Sequence, residues 1–554
     1  PKLKVGILLD STVIPSWVRD LAVAIQASDH SELMIVVVDG DRRQRQRGFT
    51  SKPRLRHGGL SRRIRDRLYR IYEKLVDRYR MYPDAWRPIT DATPIDSIPR
   101  LQKSAGRASQ EELEVLRSTK PDVLLHCGLR AIEPAVLSVP PLGVWSLLEG
   151  PATVDHAVPA GYWASLLGHE ITRSIMSITR ADGRAEVVYE SYSSTSRFSA
   201  HDAISRCYAK GGQFFLRMLG RLHMLGEQEF LAERRDQVQD GTMGGQELAN
   251  MPGPLGYFVI VSRAVARKTW LLLDHALFES RWTLRRAQRL NPGKPLQLAE
   301  RFPNPPALFR ADPHVISRDG RHYLFAEEYC FKAEKAHISV QECTQDGKLV
   351  GDMVKVLERP YHLSYPFVFE RDGDIYMVPE SSNNRAIELY RATRFPFEWV
   401  YQQDLMSDVD AADTTLLYEQ GKWWLFSNIR IREGVSSWDE LYLFHSDDFL
   451  SGNWVAHPMN PIVSDCRAAR PAGAIIRRGG KLIRPSQQST SRYGAGLNFF
   501  EILTLSETDY RERLINKLRP ISIGRTQGIH SYAELGDGAI VDENIRRFRF
   551  RYSK

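Results

Sequence analysis

The sequence predicts a multidomain chain: an α/β sheet domain over residues 1–198, a helical connector over 199–297 and a five-bladed β-propeller over 298–554. Three observations predict it. Apolar runs alternate with helical patterns at the start, two helical patterns flank a glycine-rich stretch in the middle, and a hairpin unit recurs five times in the second half. With 554 residues, 42% of them hydrophobic, the chain can fill several cores, which excludes a disordered or fibrous protein.

Residues 4–10, 32–39 and 121–127 are nearly continuous apolar runs, and residues 17–26 and 110–118 have helical spacing. Strands of that kind separated by helices indicate a parallel sheet covered on both faces. No GxGxxG follows the first strand, so a dinucleotide site is not expected. The sequence enters its first strand without a signal-peptide pattern. A basic insertion interrupts the alternation at 42–80, with 15 Lys or Arg against 3 Asp or Glu. That segment is +12 where the whole chain is +9, so the remainder is slightly acidic. Ile64, Leu68, Ile71, Leu75 and Tyr79 recur there at helical spacing among arginines, a basic amphipathic helix suited to its own domain's surface or to an anionic membrane. Aromatic platforms and DNA-binding motifs are missing from it, so nucleic acid is not an expected partner.

Residues 143–177, GVWSLLEGPATVDHAVPAGYWASLLGHEITRSIMS, resemble the core of methionyl-tRNA and sugar formyltransferases. Pro159, Trp163, Ala164, Gly168 and Thr172 carry the resemblance. It implies a formyltransferase-like fold, yet the family's catalytic Asn falls on Ser146, its His on Leu148, and its downstream Asp near Gly183, beside Asp182. Leucine cannot shuttle a proton, so formyl transfer is not expected unless Asp155 and His156 compensate.

Residues 199–235 have helical spacing. Residues 237–256 hold five Gly and two Pro with no periodicity, which reads as a flexible loop. Residues 257–289 read as a second apolar helix carrying Trp270, Leu273, Leu277 and Trp282. Its interior charges rule against spanning a bilayer, leaving packing between domains or lying in a membrane interface.

The repeat begins at Asp312, Tyr365, Asp413, Ala469 and His530, with turn glycines Gly320, Gly373, Gly421, Gly480 and Gly538. Asp-Gly between alternating apolar residues is a hairpin signal, and a unit of this length is a propeller blade. Eight residues before the glycine stand Asp312, Tyr365, Asp413 and His530; in the fourth repeat Ala472 stands there, with Arg470 two residues earlier. Seven residues after it stand Glu327, Glu380, Asn428 and Gln487, and the fifth repeat breaks with Ile545. In antiparallel innermost strands both positions ring one mouth of the channel. Asp312, Asp413 and Glu380 are the candidate catalytic residues, with Asp312 as base. Glu327, Glu328, His362, Tyr365, Asn428, Arg470, Arg484, Gln487 and His530 are the candidate substrate-binding residues. Of these, Arg470 and Arg484 are assigned to a donor phosphate or acidic sugar, because guanidinium grips such groups in a bidentate way.

RADPHVI before a DG hairpin resembles blade one of the arabinanase and invertase-type glycoside hydrolases. That likeness implies Asp312 as base or nucleophile and Asp413 as the residue orienting an acid, but Arg470 occupies the neighbourhood of the acid itself. FAEEY, SYPFVFE, YMVPES, ADTTLL, WWLF, ARPAG, IRPSQ and YG resemble the propeller family named after the N-terminal part of plant glucosamine inositolphosphorylceramide transferases. This second resemblance implies glycan or glycolipid chemistry; in the plant proteins glycosyl transfer is attributed to a separate domain, not read in this sequence.

The expected protein is therefore a carbohydrate-active enzyme. First comes a glycosyltransferase using an activated sugar donor and a glycan or lipid-linked acceptor. The alternatives are a propeller-type glycoside hydrolase, a non-catalytic glycan-binding protein and, last, a sugar N-formyltransferase. No cofactor or metal is expected. Cys127, Cys207, Cys330, Cys343 and Cys466 form no CxxC, which suits a reducing cytoplasm, with residues 42–80 offering a peripheral hold on the inner membrane.

Overall fold

A computed structural model describes residues 1–9, 13–14, 16–39, 87–88, 100–103, 108–128, 132–149, 161–197, 199–239, 254–291, 293–294, 296–432, 434–519 and 526–549. The basic segment 42–80, Asp155, His156, Pro159 and most of the 237–256 loop lie outside them. The chain divides into two compact units, residues 1–271 and 272–554.

The first unit is built on a seven-stranded sheet: β1 Leu3–Leu9, β2 Ser31–Asp39, β3 Arg100–Lys103, β4 Val123–His126, β5 Val144–Glu149, β6 Ile171–Thr179 and β7 Ala185–Ser194, ordered β3-β2-β1-β4-β5-β6-β7. The first five are parallel and the last two antiparallel. The apolar runs are continuous because both faces are covered. Val5, Ile7, Val123 and Leu125 pack with Trp17, Leu21, Phe214 and Leu219 of helices Ser16–Ala27 and Ala200–Leu225. Leu8, Ile35, Val37 and Leu124 pack on the other side with Leu113 and Leu116 of helix Gln110–Ser118, whose start is closed by a Ser109–Glu112 capping box.

Among the positions aligned with formyltransferase catalysis, Ser146 is buried on β5 with its Oγ 3.4 Å from His126 Nδ1. Gly183 forms the left-handed turn between β6 and β7, and Asp182 Oδ1 accepts the Arg184 amide there at 2.9 Å, so this carboxylate serves the turn.

The second unit contains five sheets, one per blade. Blades one to four start with innermost strands Leu308–Arg318, Ser364–Arg371, Ala411–Glu419 and Ile476–Arg478, each hairpinned to Arg321–Cys330, Asp374–Glu380, Lys422–Ile429 and Lys481–Gln488. The five-bladed propeller read from the repeats is thus present.

Two details correct the sequence reading. The apolar helix expected over 257–289 runs over Pro254–Leu277, and Phe278–Gln288 is a strand. It pairs along its length with Gly538–Phe548 and completes blade five, so the propeller starts well before residue 298. Trp282, read as part of the helical pattern, stands in that strand. The fifth hairpin also turns one residue earlier than assigned. Leu535 pairs with Gly538, so Gly536 and Asp537 form the turn and Gly536 takes the positive φ of 53°. The register through Gly538 was off by one, which is why Ile545 broke the pattern.

Candidate functional site

The first positions of the repeat have a backbone of their own. Asp312, Tyr365 and Asp413 have φ of 49°, 42° and 53°, and the strand register shifts at each: between Ala311 and His314, Ser364 and Phe367, and Ala412 and Thr415. A left-handed, non-glycine residue in a bulge is strained and is kept only where surroundings hold it. Here the bulge re-aims one side chain per blade, and the second positions pair beside it: Glu327 with Ala311, Glu380 with Ser364, Asn428 with Ala412.

Two buried charge networks result. In the first, His530 bridges two carboxylates, with Nε2 3.1 Å from Asp312 Oδ1 and Nδ1 2.7 Å from Asp542 Oδ2. Ser531 Oγ donates to Asp312 Oδ1 at 2.7 Å, and the Tyr365 amide donates to Asp312 Oδ2 at 3.3 Å. Asp542 takes the amides of Asp312, His530 and Ser531 at 2.9–3.0 Å. Burial disfavours the Asp312 anion, but the His530 charge and the hydrogen bonds from His530 and Ser531 outweigh it and hold its pKa down to about 2. Burial works against His530 as well, yet Asp542 and Asp312 raise it well above the ordinary histidine value. Glu327 goes the other way: burial, then the Asp312 charge, push it well above the carboxylate range, and it hydrogen-bonds Asp312. His362 Nε2 stands 3.4 Å from Glu327 Oε1, while His362 Nδ1 accepts the Ala336 amide.

In the second network Arg470 ties two blades together. Its Nε donates to Asp413 Oδ2 at 2.6 Å, its Nη2 to Asp413 Oδ1 at 3.3 Å and to Glu380 Oε2 at 3.2 Å, and its Nη1 to the Ser437 carbonyl. Gln487 Nε2 adds a 2.6 Å bond to Asp413 Oδ2. Of the three carboxylates read as catalytic, Asp312 and Asp413 are almost fully enclosed, whereas 12% of the Glu380 side chain is exposed. Asn428 is fully buried, and neither amide atom finds a protein hydrogen-bond partner among the described residues.

Several expected binding residues are placed otherwise. Glu328 points to the opposite face of its strand from Glu327, where it meets Arg310 at 2.9 Å and His337 at 3.3 Å. Arg484 is buried in a bidentate pair with Glu512 and donates to the Ala468 carbonyl, so it belongs to neither the Asp312 nor the Asp413 network. Arg470 does belong to the site, but its fork is spent on Asp413 and Glu380 rather than open to a phosphate. Tyr365 is a buried strut, its hydroxyl between Thr415 Oγ1 at 2.8 Å and the Gly473 amide at 2.7 Å.

Sequence reasoning missed Ser531 and Asp542, which stand at neither position of the repeat in the fifth blade. It also missed an aromatic group beside the histidine. The Trp282 ring lies 3.9 Å from His530, Tyr493 lies 5.0 Å from His530 and 5.8 Å from Trp438, and the Arg470 guanidinium lies 5.0 Å from the Tyr493 ring. Partly exposed aromatic rings beside carboxylates can stack on a sugar ring while the carboxylates bind its hydroxyls.

Residues 299–523 match the family model described as "Glucosamine inositolphosphorylceramide transferase 1, N-terminal". The glucosamine inositolphosphorylceramide transferase 1 of Oryza sativa subsp. japonica is 33% identical over 213 residues, which is 38% of this chain and 28% of that protein. The Arabidopsis thaliana protein of the same name is 31% identical over 209 residues, 37% of this chain and 27% of its own length. The matched stretch thus spans less than a third of these relatives. Among solved structures, a family 117 glycoside hydrolase produced by Zobellia galactanivorans is 10% identical and aligns over 48% of this chain and 90% of its own, with a TM-score of 0.33. The catalytic domain of a Coprinopsis cinerea GH62 α-L-arabinofuranosidase is 13% identical over 47% and 97%, with the same TM-score.

Proposed function

We propose that the propeller mouth serves glycosyl transfer from an activated donor onto a glycan or lipid-linked acceptor. The observation that carries this reading is the cluster around Asp312, Asp413 and Glu380, lying within the stretch shared with proteins named as transferases. In it Asp312 is a fixed anion of low basicity, and Glu380, the most exposed of the three carboxylates, meets the acceptor hydroxyl. Arg470 and Gln487 hold Asp413 and Glu380 in place, and Trp282, Tyr493 and Trp438 provide the stacking surface.

A specific observation favours a second reading, hydrolysis. Glu327, pushed well above the carboxylate range by burial and the Asp312 charge, is the group best placed to act as the acid that the sequence pattern lacked. Against it, Glu327 is hydrogen-bonded to Asp312, whereas hydrolytic carboxyl pairs stand at least about 5 Å apart to flank the glycosidic bond. The two readings part at Glu327→Gln. A departing phosphate needs no proton, so in the transfer reading this variant retains turnover within about tenfold, while Glu380→Gln loses about 100-fold or more. The assay offers nucleotide sugars with an inositolphosphorylceramide acceptor, and in parallel a glycan with no donor. Reducing sugar released without donor, and abolished by Glu327→Gln, would overturn the transfer reading.

The first unit carries a second, separate reading: a formyltransferase-like domain without formyl transfer. Incubation with 10-formyltetrahydrofolate and amino sugars should yield no formylated product. Product that disappears in Ser146→Ala would refute this.

A further inference from the structure

Helix Pro254–Leu277 has two unlike faces. One is seated in the first unit: Tyr257, Val261 and Ala264 pack with Tyr162, Trp163 and Leu166, and the Tyr257 and Tyr162 hydroxyls meet at 2.5 Å. Arg267 fastens the same side by donating to the carbonyls of Ser165, Leu166 and Leu167, the end of helix Tyr162–Leu167. Leu255, Phe258, Val259, Ala266, Trp270, Leu272, Leu273 and Leu277 are all exposed, and those at 255, 259, 266, 270, 273 and 277 follow at steps of three, four or seven residues, along one side of a helix. Leu255 is 78% exposed, Phe258 51%, Trp270 65% and Leu273 50%, which exceeds the scattered single exposures that a soluble surface tolerates.

The charges on the helix are selective. Its cations are Arg263, Arg267 and Lys268, and its one acid, Asp274, is already paired with Arg546. The first unit also contains the segment 42–80, which carries +12 by sequence. No helix among the described residues is long and apolar enough to cross a membrane, so this stripe has the length and polarity to lie along a bilayer surface and not to span it. We infer that helix Pro254–Leu277 is a docking surface for anionic lipid, with Phe258, Trp270 and Leu273 inserted at the headgroup boundary and the exposed Arg263 against the headgroups. The inference stands apart from the reaction at the propeller: it concerns the exposed side of this one helix, whatever the second unit catalyses.

The test floats the full chain with phosphatidylcholine vesicles, with and without phosphatidylserine. Wild type should float with the anionic vesicles and release as salt rises. The triple variant Phe258→Ser, Trp270→Ser, Leu273→Ser, with circular dichroism unchanged, should bind about tenfold less or weaker still, although the segment 42–80 is intact. Trp270→Phe keeps an apolar ring and should float nearly as wild type does, which separates loss of insertion from loss of folding. Three outcomes overturn the inference: no flotation of wild type; equal flotation of the triple variant, with loss only in Arg62→Glu, Arg63→Glu, Arg67→Glu; or a wild-type dimer by sedimentation that the triple variant breaks, which would mean that a second copy covers the stripe.

Discussion

Asp312→Asn should cut turnover at the propeller mouth by at least about 100-fold, the scale of losing one fixed electrostatic group of an active site, while leaving the blades assembled. Asparagine keeps the size and, with its one oxygen at the Oδ1 position, still accepts from Ser531, but it sets an NH2 group against the Tyr365 amide and removes the anion facing His530 and Glu327. The check is steady-state kinetics beside circular dichroism. Wild-type turnover in a folded Asp312→Asn protein would exclude this carboxylate from the chemistry. The same side chain leaves a mark on stability. Its pKa falls from 3.8 to about 2 on folding, so its contribution is present above the unfolded value and lost as pH drops through about 2. His530 is raised on folding, so its contribution is present below the ordinary histidine value and lost as pH climbs through the raised one. Asp312→Asn should flatten the acid side of the wild-type stability profile and weaken the alkaline side, which pH-dependent thermal melts resolve.

Arg470→Ala should destabilise the second unit by about 3–5 kcal/mol, since it strands two carboxylates, Asp413 and Glu380, around one missing cation in a closed environment. Arg470→Lys should fare better in stability than in turnover. It keeps the charge, but one ammonium cannot bond Asp413 through two nitrogens and Glu380 as well. Denaturant titration of both variants checks this. An Arg470→Ala protein as stable as wild type would mean that the two carboxylates do not depend on the guanidinium for their placement.

The blades were legible in the sequence because a two-residue hairpin turn demands positive φ, and glycine after Asp, Gln or Gly advertises it at Gly320, Gly373, Gly421 and Gly480. In the fifth repeat two glycines bracket Asp537, and the Asp-Gly dipeptide pointed to Gly538 while the chain turns on Gly536. Moving the register by that one step brings Ile529 and Asn544 to the two marks, so Asp542, the residue anchoring His530, falls outside the repeat in either register. The ring of polar positions was legible because equivalent bulges recur at equal distances from the turns. What those residues bind was not. Whether a guanidinium is open or spent depends on partners far away in sequence: Arg470 meets Glu380 and Asp413, and Arg484 meets Glu512. Trp282 was lost for another reason. It follows a helix without a break, and the strand Phe278–Gln288 declares itself only by pairing with Gly538–Phe548, some 250 residues later.

That pairing makes the site a report on the whole ring. His530 and Asp542 come from the last blade, Asp312 from the first, and the strand closing the last blade precedes the first one in the chain. Until the final strand is made, Asp312 keeps the Tyr365 amide but lacks Asp542 and the His530 that Asp542 anchors, and a ribosome-bound or clipped chain with four finished blades carries a half-held carboxylate instead of an assembled centre. Completeness of the chain is thereby written into the electrostatics of one aspartate, and activity would switch on only when the two ends of the propeller have met.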